Sequence, residues 1–173
     1  MNEQITPTRI ALKWGLILGI AMILYSIVTF VTDSVGNAWL GSVSYVLIII
    51  GIILAMRDFR TLNGGYMTYG QGLTIGMLMG AVAGLLSSLF SVFYLTVIDT
   101  GIMERAAETA RERMEDEGKM SDEQIDQAIG IMEKFQSPGF LFVFGVIGTA
   151  LLALIFSLVI AAFIRRNKDN PFE

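Results

Sequence analysis

Side chains able to do chemistry gather in three places along this chain. The first is the stretch R-D-F-R-T-L-N-G-G-Y-M-T-Y-G-Q-G-L-T-I-G, Arg57 to Gly76, which sets arginines, tyrosines and a glutamine between two apolar runs. The second is a group of hydroxyls, Ser87, Ser88 and Ser91. The third is the acidic segment from Asp99 to Gln136, in which eleven acids face five bases for a net charge of −6. A serine nucleophile needs a general base within hydrogen-bond reach. The chain contains no histidine and no cysteine. That removes Ser-His and Cys-His pairs, disulfides, Cys/His zinc sites and haem held through histidine. No lysine inside an apolar run stands in as the base, so the serines read as helix-to-helix packing groups. The N-G-G-Y-M-T-Y-G-Q-G run lacks the lysine and the preceding strand of a P-loop. The acids lack a D-x-[DN]-x-[DN]-G calcium loop. No catalytic, cofactor-binding or metal-ligating residue is expected, and no enzyme.

The elements that position these residues are membrane spans. The chain is 54% hydrophobic and only 16% charged, with a mean hydropathy of +0.63 over 173 residues. A soluble domain is less apolar and carries more charge. A membrane helix needs about 20 mostly apolar residues. Four stretches qualify, at about residues 10–31, 39–56, 70–98 and 138–164. The third, at 1.5 Å per residue, reaches roughly 40 Å and must tilt or protrude. The first is too long for a signal-peptide core and has no A-x-A-like cleavage site after it, so it reads as a retained helix. Lys and Arg in short connections set orientation. Arg9 and Lys13, Arg57 and Arg60, and Arg165, Arg166 and Lys168 flank one set of span ends, while Thr32–Ala38 holds neither type. Both termini and the Arg57–Gly70 connection are therefore expected in the cytoplasm. No ionisable residue sits in the middle of a span, which argues against ion-coupled transport but not against handling a neutral lipid or solute. The mildly acidic balance, net −4, argues against nucleic acid as a partner.

Residues 99–137 form an insert with its own pattern. Met103, Ala106, Ala107, Ala110 and Met114 follow one helical face, and Ile125, Ala128, Ile129, Met132 and Phe135 follow a second. Gly118 suits a helix C-terminus. Ser121 and Gln124 read as a capping box, and Pro138 as the first turn of the last span. The fold class is thus an all-α membrane protein: a single domain, 1–173, of four transmembrane helices, with an extracytoplasmic amphipathic helical hairpin between the third and fourth. The hairpin is either a solvated cap or a docking surface, with Glu108, Glu112 and Glu115 as the candidate docking face.

Small residues at four-residue spacing let membrane helices approach closely. The third span carries Gly72, Gly76, Gly80, Gly84 and Ser88; the fourth carries Gly145, Thr149, Ala153, Ser157 and Ala161. Gly15 and Gly19, and Gly51 and Ala55, are shorter examples. This glycine-zipper pattern predicts a tight contact between the third and fourth spans, with the first two completing the bundle. A homo-oligomer or a partner helix gripped by one stripe is the other reading.

Within the opening stretch, Arg57 and Arg60 mark the inner face, Asn63-Gly64-Gly65 is turn chemistry, and Tyr66 and Tyr69 suit the headgroup layer. Gly70-Gln71-Gly72 opens the third helix. The stretch reads as a tight cytoplasmic connector; the rival reading is a small site for a lipid headgroup or a partner's tail. The same residues resemble the bacterial four-helix membrane proteins filed as domain of unknown function 4199. There an arginine-containing segment leads to Gly-Gly, a short aromatic run, a Gly-Gln-like pair and a glycine-rich helix. Ile98-Asp99 resembles the motif after the third span, although Thr100 stands where a proline often follows. E-R-M-E-D-E-G-K-M-S-D-E-Q-I-D-Q-A-I-G-I-M-E-K-F-Q-S-P, ending at Pro138, resembles the acidic insert. The resemblance implies a multi-pass protein of a bacterial inner membrane and brings no activity. The expected function is a non-enzymatic accessory or scaffold subunit contacting the bilayer and a protein partner; a small transporter or lipid-handling protein is the alternative.

Overall fold

The computed structural model describes residues 5–34 and 38–167, so Lys168 and the middle of the first connection lie outside the described residues. Six α-helices follow in order: α1 Pro7–Val31, α2 Ala38–Leu62, α3 Tyr69–Phe93, α4 Ile102–Glu117, α5 Asp122–Phe135 and α6 Pro138–Ile164. A π-helical turn, Tyr94–Ile98, extends α3. No strand occurs among the described residues, only an isolated bridge between Met67 and Arg166. Four segments, Pro7–Val31, Trp39–Leu62, Tyr69–Ile98 and Pro138–Ile164, are long and apolar enough to cross a membrane. This is a multi-pass membrane protein.

Local chemistry explains the helix ends. Thr6 caps α1 by accepting from the Arg9 backbone N–H at 3.3 Å, and Pro7 follows at the first turn, where its missing N–H leaves no intrahelical bond unmade. Gly118 ends α4 at φ 61°, a left-handed conformation that costs glycine little. Ser121 and Gln124 form a reciprocal capping box on α5.

Helix α3 is the centre of the bundle. Its most extensive contacts are with α6 and α1, while α2 lies across α1, α6 and α3 with smaller contacts. The core joins Ile48, Ile52, Met56 and Phe59 of α2 to Ile75 and Met79 of α3. Leu12, Leu16, Ile20 and Leu24 of α1 point outward, as lipid-facing side chains do. The close approach of α1 to α3 was not expected from the stripe on the third and fourth spans. It rests on Gly15 and Gly19. A Cβ at Gly15 would meet Val82 Cβ at 2.7 Å, and one at Gly19 would meet Leu86 Cδ1 at 2.8 Å.

Two sequence expectations change. The second span does not stop at Met56: α2 runs on to Leu62, so Arg57 and Arg60 are helical and the connection shrinks to residues 63–68. The reason is that Phe59 is fully buried and Asp58 is paired, which gives this polar-looking segment a core-facing side. Phe135 also leaves the apolar stripe of α5. It is exposed and packs edge-on against Phe140 and Phe144 of α6, at centroid distances of 5.5 and 6.3 Å.

Candidate functional site

The α2–α3 connector is tied to the end of α6. Gly64 and Gly65 take φ of 67° and 90°, and the Gly65 N–H donates to Arg60 O at 2.8 Å, the long bond of a Schellman motif that ends α2. Asn63 Nδ2 donates to Tyr66 O at 2.9 Å and closes the turn. Met67, fully buried, exchanges both backbone bonds with Arg166, at 3.0 and 2.9 Å. Arg60 donates to Ile164 O at 3.1 Å, satisfying a carbonyl that the end of α6 leaves open. The Tyr69 hydroxyl donates to Leu158 O at 3.1 Å. Gln71 completes a capping box with Thr68: its side-chain oxygen accepts from the Thr68 N–H at 2.8 Å, and the Gln71 N–H donates to Thr68 Oγ1 at 3.3 Å. The guanidinium groups of Arg165 and Arg166 lie 6.0 and 5.9 Å from the ring centres of Tyr69 and Tyr66. Arg57 is exposed on α2.

Beside this connector is an ion pair that sequence reasoning passed over. Asp58 accepts from Lys13 Nζ and from Trp14 Nε1, each at 2.8 Å, and joins α1 to α2. The signal was present: Lys13 is the one base between Arg9 and Arg57, and Asp58 the one acid between Asp33 and Asp99. Two lone opposite charges, one near the start of α1 and one near the end of α2, come to the same side of the bundle and are natural partners where water is scarce.

The small-residue stripes of α3 and α6 run antiparallel against each other. A Cβ at Gly72 would meet Ala161 Cβ at 2.8 Å, one at Gly76 would meet Ser157 Cβ at 2.7 Å, and one at Gly84 would meet Thr149 Cβ at 2.9 Å. Gly80 faces Ala153 Cβ and would meet Thr149 O at 3.0 Å; Gly145 sits against Ser88, with Ser88 Cβ at 3.0 Å. The hydroxyls bond back along their own helices: Ser87 to Gly84 O at 3.4 Å, Thr149 to Gly145 O at 2.8 Å, Ser157 to Ala153 O at 2.6 Å. None of these contacts leaves room for a ligand between α3 and α6.

Past the other end of α3, helices α4 and α5 pack side by side, with Arg111 bonded to Asp126. An open groove of about 480 Å³ lies between them, lined by Met103, Ala107 and Ile129, by Glu104, Glu108 and Glu133, and by Arg111 and Gln136. Glu115 pairs with Arg111 at 3.9 Å and Glu112 is exposed; neither lines the groove with Glu108. The pair is tied to the bundle through Arg105, which bonds Asp99 at 2.8 Å and Asp33 at 3.2 Å. The Arg105 hydrogen bond holds the Asp99 carboxyl below its ordinary value, with further help from the Gly101 N–H. Asp99 and Asp33 in turn raise Arg105.

A family model described as protein of unknown function (DUF4199) matches residues 13–166. The chain belongs to that family. The matched region opens at Lys13, the partner of Asp58, and closes at Arg166, the partner of Met67, so it takes in every contact described above except the Thr6 cap. No curated protein and no solved structure matches the chain. Within this family member the geometry divides the labour by position. The connector and the glycine stripes fix helices to one another, and the groove between α4 and α5 is an open concave surface with three glutamates and Arg111 in its lining.

Proposed function

We propose that this chain is a non-enzymatic accessory or scaffold subunit of a bacterial inner membrane. Its termini and connector face the cytoplasm, and its α4–α5 pair meets a partner protein on the outer side. The observation that carries this reading is the α4–α5 groove. Its apolar floor and three glutamates are presented by helices that pack chiefly on each other, away from the four-helix core. The basic flanks of the opposite end support the orientation. A transporter or lipid handler, the alternative, would draw on Tyr69 and Gln71 at the connector, whose side chains are engaged in bonds that hold helix ends.

The test is a photo-crosslinker placed at Glu108 in cells, with and without charge reversal at Glu104 and Glu133. The expected result is one dominant crosslinked protein, lost in the reversed variant while the bundle keeps its thermal midpoint. Crosslinks to lipid alone, or a set of crosslinks that charge reversal leaves unchanged, would count against a docking groove.

A further inference from the structure

Three candidate spans end together at the connector: α2 at Leu62, α3 at Tyr69 and α6 at Ile164. Residues 63–68 and 165–167 therefore lie just past the apolar segments, at the depth of lipid headgroups. Two arginines there rest beside tyrosine rings and, among the described residues, are not paired with a carboxylate. Arg165 and Arg166 are exposed, and their guanidinium groups sit over Tyr69 and Tyr66 at 6.0 and 5.9 Å. A ring about 6 Å from a guanidinium attracts it through the ring quadrupole and takes up none of its N–H donors. The platform is fixed by backbone rather than by the arginine side chains. Met67 and Arg166 exchange two backbone bonds, and Tyr69 is pinned by its hydroxyl to Leu158 O. Among the described residues, the acid nearest these segments along the chain is Asp58 of α2, which is bonded to Lys13 and Trp14.

We propose that Arg165 and Arg166, held beside the rings of Tyr69 and Tyr66, form a binding surface for the phosphate of an anionic phospholipid. The planar guanidinium fork matches a phosphate diester's two non-bridging oxygens, which a lysine ammonium cannot do. The lipid's acyl chains then run along the exposed apolar surface of the adjoining helices. This surface is separate from the α4–α5 groove and stands or falls independently of the accessory reading.

The experiment reconstitutes the full chain in vesicles of phosphatidylcholine mixed with phosphatidylglycerol, then counts retained lipids on the intact protein by native mass spectrometry. Each arginine should contribute about a fivefold preference for phosphatidylglycerol, the increment a cation gains at an anionic leaflet. Arg165→Gln with Arg166→Gln should therefore cut the preference roughly 25-fold. These changes leave the Met67–Arg166 backbone bonds in place. Arg113→Gln, on α4, should leave the preference unaltered. Equal retention of the two lipids by the unmodified chain would overturn the proposal without any variant. So would full retention of the preference with Arg165→Lys and Arg166→Lys, since the guanidinium fork would then be irrelevant. Displacement of the lipid by inorganic phosphate at constant ionic strength would assign the surface to a soluble anion instead.

Discussion

Gly80 shows at a single residue why a stripe glycine of α3 resists exchange, whereas Gly70 on the same helix has nothing within 4 Å of its Cβ position. The nearest atoms to an added Cβ include Thr149 O and Ala150 Cα, backbone of α6 that no side-chain rotation can move. Gly80→Ala should therefore force the helices apart and cost about 1–3 kcal/mol, the usual range for overpacking. Gly148→Ala is the matched control, because nothing lies within 4 Å of its Cβ position. It should be neutral or gain about 0.5–1 kcal/mol from helix propensity. Thermal midpoints of the two variants in mild detergent read the difference, and equal shifts would contradict the packing described. Caps at this scale were legible in the sequence. Ser121 with Gln124, and Gly118, act through neighbours three or four residues away, so local chemistry decides them. The partner of Asp58 is harder to read, because Lys13 lies 45 residues away and the only hint is that each is the lone charge of its sign in its stretch.

Among elements, the junction of α3 with α4 depends on Arg105, Asp99 and Asp33. Asp99 is held below its ordinary value near 3.8 mainly by the Arg105 hydrogen bond, and Arg105 stays charged throughout. The tie is accordingly complete above the ordinary carboxylate range. It is lost as pH falls through the lowered Asp99 value. Arg105→Gln should move the Asp99 titration, followed by its carboxyl carbon shift, up toward 3.8. It should also speed hydrogen exchange of the Gly101 N–H, which donates to Asp99 at 3.1 Å. An unmoved titration would remove Arg105 from this role. The four spans were legible here, since their length and hydropathy are properties of contiguous sequence. The length of α2 was misjudged for a tertiary reason. Phe59 and Asp58 look like loop chemistry until α1 and the core supply their surroundings. The contact of α1 with α3 was hidden for the same reason, because Gly15 and Gly19 show a small face without naming its partner.

Among the described residues the charges separate by end, apart from the five bases within the acidic insert. Arg9, Lys13, Arg57, Arg60, Arg165 and Arg166 gather at the connector with Asp58, and the α4–α5 pair carries the acids of the 99–137 insert. The orientation and the two partners proposed above, lipid phosphate at the basic end and protein at the acidic groove, both draw on this asymmetry. The family was legible in the connector and insert motifs, because those turn and cap residues are local. Whether the groove is used was not, because an acidic amphipathic helix has the same pattern in a passive cap as in a docking surface. The central claim is that the α4–α5 pair recruits a foreign protein. The most direct measurement is the intact mass of the complex after in-cell crosslinking and mild-detergent release from native membranes, for the unmodified chain and for a variant with Lys at 104, 108 and 133. The account predicts a stoichiometric foreign subunit, linked through α4 or α5, that is absent from the variant. A monomer or pure homo-oligomer in both samples would contradict it.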